Sequence, residues 1–216
     1  MIVASDLIGT LTTGSPVLGL VDWVRHNQSK MRADLYTASI MPSYVMAKLG
    51  WINVQKWASR LMVTCLPLVK DPTLDKIDAM ANWSVEKHLW PQRREDVIKR
   101  LVDHKAQGAE VVIASSVYQP TVEVFASHIG ARTVATPLEI HNGRLSIPEK
   151  LFSEQQKVNK VLERMAVKKI DVAYGDTWQD IPLLENAERP VAVYPDQVLK
   201  AVALEHGWEI LGERER

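Results

Sequence analysis

The sequence predicts an α/β fold, a parallel sheet flanked by helices, with a helical block inserted after the first strand. Three observations carry this. Short apolar runs at Ile2–Ser5, Val111–Ser116, Ile170–Tyr174 and Pro190–Tyr194 read as strands, and those after Gly108 alternate with helical patterns. Residues from about 15 to 107 show apolar positions at three- and four-residue spacing and no strand pattern. Strands separated by helices imply parallel pairing with right-handed crossovers. The expected division is a core of residues 1–14 and 106–216 and a helical domain of residues 15–105.

Taken in order, the β-branched run from Ile2 delivers Asp6 to a strand end, the position that faces the ligand crevice of an open α/β sheet. Gly9 and Gly14 permit close backbone approach there, and Thr10, Thr12 and Thr13 offer hydroxyls to an anion. Asp6 is a nucleophile or metal ligand in one reading and a turn cap in the other. Ser15-Pro16 caps a helix through Val24. Further helical patterns cover Tyr44–Leu49, Val54–Leu66, a segment opening at Asp71, and one from Pro91 to the C′ glycine Gly108. Five of the seven tryptophans (Trp23, Trp51, Trp57, Trp83 and Trp90) fall in this block, where packing a helical bundle is their expected work.

Beyond Gly108, Val111–Ser116 is a strand ending in two hydroxyls, Pro120–Ile129 a helix and Thr133–Thr136 a short strand. Asn142-Gly143 marks a hairpin turn within Leu138–Ile147. Ser153–Met165 is a helix carrying Lys157. The strand Ile170–Tyr174 runs into Gly-Asp-Thr-Trp-Gln-Asp180, and Pro190–Tyr194 precedes a closing helix ending at His206.

Hydrophobic residues make up 46% of the 216 and charged residues 24%, a globular composition. Basic and acidic side chains balance at 26 each with no long single-sign run, which argues against nucleic-acid or membrane-surface partners. The single Cys65 excludes an intramolecular disulfide and fits a reducing compartment. The N-terminus opens on a strand, with no basic region and long apolar run. No signal peptide is therefore expected, and the reading is cytoplasmic.

Asp6, Ser115, Lys157, Asp176 and Asp180 all fall at strand ends or helix starts. Asp176 and Asp180, four apart, share a face if the turn enters a helix, and a carboxylate pair suits magnesium. An N-cap and a surface charge are their ordinary alternatives. Ser115 holds a phosphate oxygen or caps the next helix, and Lys157 neutralises a phosphate or lies on a solvated face.

The order and spacing of this set resemble the four motifs of the haloacid dehalogenase-like superfamily, most closely its phosphoserine-phosphatase-like branch. Asp6-Leu-Ile-Gly-Thr-Leu-Thr12 matches the first motif and Val111-Val-Ile-Ala-Ser115 the second. Gln156-Lys157-Val158 fits the third, and Ala173-Tyr-Gly-Asp-Thr-Trp-Gln-Asp-Ile-Pro-Leu-Leu184 the fourth. The resemblance implies a Rossmann-like core, a helical cap at residues 15–105, and a Mg-dependent phosphohydrolase working through an aspartyl-phosphate. It assigns Asp6 as nucleophile, and Ser115, Ser116, Thr10 and Lys157 to substrate. Magnesium falls to Asp6, the backbone carbonyl of Ile8, and Asp176, with Asp180 supporting the metal shell. The expected partner is a small phosphorylated substrate; monomer and homodimer are both open.

The departure is Ile8. The family's phosphatases carry a second Asp there as acid and base, and losing such a group costs about 10²–10⁴-fold in rate. Slow turnover or another proton donor is therefore expected, with His26, His88 and the cap tyrosines as candidates. The alternatives are a phosphate-ligand binding or regulatory protein on the same scaffold, and a dehalogenase-type displacement. Dehalogenases also lack the second Asp but dispense with magnesium, so the intact fourth motif counts against them. Arg25, Arg32, Tyr36, Tyr44, Trp57 and Arg60 are candidates to line the substrate pocket.

Overall fold

Residue 2 begins the central strand of a six-stranded parallel sheet in the computed structural model, which describes residues 1–214. In chain order, β1 (Ile2–Ser5) is followed by α1 (Pro16–Asn27), α2 (Lys30–Lys48), α3 (Val54–Thr64), α4 (Leu74–Ser84) and α5 (Glu95–Ala106). Next come β2 (Glu110–Tyr118), α6 (Gln119–Ser127), β3 (Arg132–Thr136), the hairpin β4 (Glu139–His141) and β5 (Arg144–Ser146), and α7 (Glu154–Met165). The chain continues with β6 (Ile170–Gly175), α8 (Ile181–Glu185), β7 (Ala187–Val193), α9 (Gln197–His206) and β8 (Glu209–Leu211). The strand order is β3-β2-β1-β6-β7-β8, so β1 lies at the middle and its C-terminal end opens between β2 and β6.

Residues alternate cleanly between the two faces, as the period of a strand requires. Val3, Val111, Ile113, Val172, Tyr174 and Val191 pack into a large cluster with α1, α4 and α6. Ala4, Val112, Ala114, Ala173 and Ala192 face the other way, where α7, α8 and α9 cover them through Val158, Val161, Leu183 and Leu199. The alanine-rich face lets α7 lie close to the sheet, which brings Lys157 to the strand ends. The helical block is continuous with the first cluster: Leu20, Val24, Met80 and Leu89 are buried in it, and α5 packs directly on β2.

Most expected elements are present. Ser15 caps α1 by accepting from Leu18 N–H, and Ser153 opens α7 with a full capping box to Gln156. Asn142 and Gly143 both have positive φ, the two-residue turn expected between β4 and β5.

Four details differ. The helix expected from Pro91 starts at Glu95, because Trp90–Gln92 forms a single 3₁₀ turn and Arg93 is extended. That segment is instead bonded to the first loop: Thr13 N–H donates to Gln92 O, and Arg94 N–H to Leu11 O. Second, β8 was invisible in the sequence, being three residues long and held only by register with Val191–Val193. Third, β7 starts at Ala187 and runs through Pro190, tolerated because β8 reaches only Val191–Val193 and leaves Pro190 paired on one side. Fourth, α2 is far longer than the Tyr44–Leu49 pattern and almost unburied, with only Ala33 and Ala47 inside, so it left no apolar stripe to read. Trp51 departs from the packing role, being 73% exposed beyond the end of α2. No described helix is long and apolar enough to cross a membrane.

Candidate active site

The loop after β1 is shaped by what packs against it. Asp6 N–H donates to Tyr174 O (3.0 Å), extending the β1–β6 pairing by one residue and fixing the direction of the Asp6 side chain. Gly9 has φ +92°, and a Cβ there would lie 2.1 Å from Asp176 Oδ2; only glycine lets the loop pass so close to that carboxylate. Gly14 is likewise against the His88 carbonyl, at 2.1 Å from an added Cβ. Both glycines therefore serve the packing of the loop against its own protein.

The threonines do the same. Thr10, fully buried, donates to Asp176 Oδ1 (3.2 Å), Thr12 donates to Leu89 O (2.6 Å), and Thr13 reaches Gln92 O (3.4 Å). Thr10 thus orients Asp176 and does not itself border the cavity. Arg94 Nε, stacked over the Tyr194 ring, donates to Gly9 O (2.8 Å) and closes the loop from outside.

Lys157 is the hub of the site. Only 4% exposed, it reaches β1 and the loop after β6 from the first turn of α7. Its Nζ lies 3.2 Å from Asp6 Oδ1, 3.3 Å from Asp180 Oδ1 and 2.9 Å from Glu154 Oε2. Burial alone opposes its charge, but Asp6, Asp180 and Glu154 together hold its pKa well above the usual lysine value.

Asp180 is fixed by the turn it belongs to. Its Oδ2 accepts from Asp176 N–H (3.1 Å), Thr177 N–H (3.2 Å) and Thr177 Oγ1 (3.3 Å), a capping box that opens the 3₁₀ turn before α8. Asp180 therefore caps the turn and still presents Oδ1 to Lys157. Asp176 is bound by Thr10 on one oxygen and by Arg214 Nη2 on the other, at 2.6 Å.

Asp6, Asp176 and Asp180 place one carboxylate oxygen each within 4.8 Å of one another. Burial first, then the charges of Asp180 and Asp176, push the Asp6 carboxyl well above its usual range against the pull of Lys157. Burial and Asp180 likewise push Asp176 up to about 7 despite Arg214. Together with Glu154, these four carboxylates contact two cations, Lys157 and Arg214, so with all four ionised the cluster would carry an excess of two negative charges, which one divalent ion balances. A hard, all-oxygen donor set with that deficit fits a divalent metal such as magnesium.

Ser115 and Ser116 border the same cavity, at a register shift in β2 beside β3. Ser115 Oγ accepts from Val117 N–H (3.3 Å), and Ser116 Oγ donates to Phe152 O (2.8 Å). Ile8 also borders the cavity beside Asp6. The site volume is about 470 Å³. Sequence reasoning missed Arg214, Gln179 and Glu154 on the sheet side of the cavity. Arg214 and Gln179 carry no pattern signal; Glu154 had one, its i,i+3 spacing to Lys157.

The residues expected to line the pocket from the helical block do not. Arg25 pairs with Asp34, Arg32 donates to Leu68 O, Tyr36 bonds Thr64, and Trp57 Nε1 donates to Ser43. Tyr44 packs beside Trp57, and the exposed Arg60 does not border the cavity. His26 and His88 both bond Asp22 and are likewise absent from its lining. The cavity is bordered instead by Val54, Gln55, Ala58, Ser59 and Met62, one face of α3.

A buried lysine and three converging aspartates thus meet at the strand ends of a parallel sheet, the setting of an α/β hydrolase site. The chain belongs to the haloacid dehalogenase-like hydrolase family, whose model matches residues 3–185. It is 32% identical over 124 residues to the inhibition of morphological differentiation protein of Streptomyces azureus, a match covering 54% of this chain and 45% of that protein. The chain thus matches less than half the length of that relative. Among solved structures, it is similar to a protein of unknown function from Bordetella pertussis Tohama I (TM-score 0.74, 20% identity, 98% of this chain and 97% of that one). A substrate-bound phosphoserine phosphatase shares the fold at a TM-score of 0.61 and 17% identity, with 99% and 93% coverage.

Proposed function

We propose that the chain is a magnesium-dependent phosphatase of a small phosphorylated metabolite, working through an aspartyl-phosphate on Asp6 beneath a cap formed by residues 15–105. The observation that supports this best is the Lys157 bridge between Asp6 and Asp180 beside Asp176. Asp6, which acts as nucleophile in this reading, thereby shares one buried cluster with a fixed cation and a metal-suited carboxylate pair.

In this reading Asp6, the Ile8 carbonyl and Asp176 hold magnesium, and Asp180 steadies the shell. The bound ion supplies positive charge that offsets the repulsion between an anionic nucleophile and an anionic ester. Asp6 attacks phosphorus; the Asp6–O–P bond forms as the ester O–P bond breaks, and Lys157 together with the Ser115 and Ser116 groups holds the phosphoryl oxygens. The departing oxygen then needs a proton, and the water that cleaves the acyl-phosphate must lose one. Ile8 can do neither, so ester cleavage is slow unless the leaving group is a weak base, and hydrolysis of the aspartyl-phosphate is slow whatever the leaving group.

The test is magnesium-dependent phosphate release from 4-nitrophenyl phosphate, whose leaving group needs no proton, compared with Asp6→Asn. Metal-dependent turnover lost in Asp6→Asn supports the reading. Ile8 itself favours a second reading, a binding or regulatory protein on the phosphatase scaffold. Binding of inorganic phosphate without turnover of any ester would establish that one instead.

A further inference from the structure

We propose, on the strength of the phosphatase reading, that the ester this site accepts has an uncharged, largely apolar alcohol part, and that phosphorylated amino acids and hydroxy acids are excluded. The argument lies in how charge is distributed around the cavity. Every charged residue bordering it belongs to the carboxylate cluster and its counter-ions: Asp6, Glu154, Lys157, Asp176, Asp180 and Arg214. All of these except Glu154 and Arg214 are buried beneath the position a phosphoryl group takes against Asp6.

The cavity is also bordered by the α3 face of Val54, Gln55, Ala58, Ser59 and Met62, and by Phe152. Spacings of three, four and one along α3 put these residues on one stripe. Among the described residues, no Lys or Arg reaches the cavity from this side. Lys56 and Arg60, the nearest in sequence, lie on α3 itself without bordering the cavity, and Arg25 and Arg32 are committed elsewhere, to Asp34 and to the Leu68 carbonyl. A carboxylate on the alcohol part would therefore lose water without gaining a partner, and Glu154 at the rim would repel it. Gln55 and Ser59 can bond a hydroxyl or ether oxygen, while Val54, Ala58 and Met62 offer apolar contact. A site of about 470 Å³ lies in the range that holds a compact organic molecule.

The experiment measures binding and turnover separately. Affinities of phenyl phosphate, O-phosphoserine and 3-phosphoglycerate are read by calorimetry on Asp6→Asn protein with magnesium, and kcat/KM on the unaltered protein. Phenyl phosphate should lead in both by at least about tenfold, the cost of one unpaired carboxylate. Gln55→Arg, which places a cation on the α3 face, should narrow or reverse that lead. Equal or tighter binding of O-phosphoserine, or no effect of Gln55→Arg on the ratio, overturns the inference. If the preference in binding holds while no ester is turned over, the phosphatase reading fails and the ligand class stands. If none of the three binds, the ligand class fails with it.

Discussion

Arg214 Nη2 lies 2.6 Å from Asp176 Oδ2, so a guanidinium occupies one oxygen of the carboxylate proposed to hold magnesium. The Asp176 side chain is 2% exposed and that of Arg214 is 42% exposed, so the arginine approaches from solvent and can leave without unfolding anything. Guanidinium and metal compete for the same oxygen. Arg214→Ala should therefore tighten magnesium binding about fivefold, the size expected of a half-exposed ion pair worth about 1 kcal/mol. Titration calorimetry with magnesium chloride measures this directly. Unchanged or weaker binding would mean that Arg214 and the metal share Asp176.

Lys157 should be as important for stability as for chemistry. It alone contacts Asp6, Asp180 and Glu154 together, and removing it leaves those carboxylates facing one another in a buried site. Breaking such a buried set by deleting one partner typically costs about 3–5 kcal/mol. Lys157→Met should lose about that much in urea unfolding without metal, and added magnesium should restore part of it by supplying the missing charge. A loss of the same size that magnesium does not reduce would mean that the metal does not enter this cluster.

How much of this was legible beforehand follows from where the signals lie. Asp6 and Asp176 follow apolar strands, Ser115 lies within one, and Lys157 and Asp180 fall at helix starts, so their placement came with the strand and helix pattern. The helix from Ser153 was fixed by its capping box, and the β4–β5 turn by Asn142-Gly143. What was lost had no local pattern. Strand β8 exists through pairing with Val191–Val193, and the pause at Arg93 exists because Leu11 and Thr13 bond that segment. Residue type announces the close approach at Gly9 and the hydroxyl at Thr10, but only the fold shows that Asp176 receives both. The pocket wall failed most plainly: conspicuous arginines and aromatics drew the reading, whereas the cavity faces Val54, Gln55 and Ser59.

Asp22 gives the helical block an acid-sensitive joint. Its carboxylate accepts from Trp83 Nε1 (3.0 Å) and lies 3.1 Å from His88 Nε2 and 3.3 Å from His26 Nδ1, tying α1 to α4 and the turn after it. Desolvation opposes its charge, but bonds from His88 and Trp83 outweigh it and lower the pKa. A carboxyl with a depressed folded pKa stabilises above its unfolded value, and that stability is lost as pH falls through the folded one. The difference in urea midpoint between the native chain and Asp22→Asn should shrink as pH falls from about 5 toward about 3. A difference independent of pH would assign Asp22 a packing role only.

Cys65 should be inert. Its thiol is fully buried, sits 3.3 Å from Tyr118 Oη, and is pushed up to about 12 by burial despite the Tyr118 hydrogen bond. Thiolate is the reactive form, and almost none exists at neutral pH. An aromatic disulfide reagent should therefore label the native protein at the rate of global unfolding and label urea-unfolded protein at once. Fast labelling of the native chain would mean that the segment between α3 and α4 opens locally.

Ile8 is the decisive position for turnover, because it borders the cavity beside Asp6 and carries no group able to move a proton. Its backbone lies in the loop held by Gly9 N–H to Thr12 O (2.7 Å), so a new side chain need not disturb the Ile8 carbonyl. Ile8→Asp should raise kcat/KM, which reports the cleavage of the ester and not the later hydrolysis common to all substrates, by about 10²-fold for an alkyl phosphate, within the range that positioned acid–base catalysis supplies. The gain should be much smaller for 4-nitrophenyl phosphate, because its leaving group departs without a proton. The leaving-group dependence separates a chemical effect from a structural one: a variant that merely reshaped the loop would change both substrates alike. Steady-state rates over a series of phenols and alcohols of graded pKa provide the measurement. A flatter dependence in Ile8→Asp than in the native chain is the expected result, and parallel slopes would mean that residue 8 does not reach the leaving oxygen.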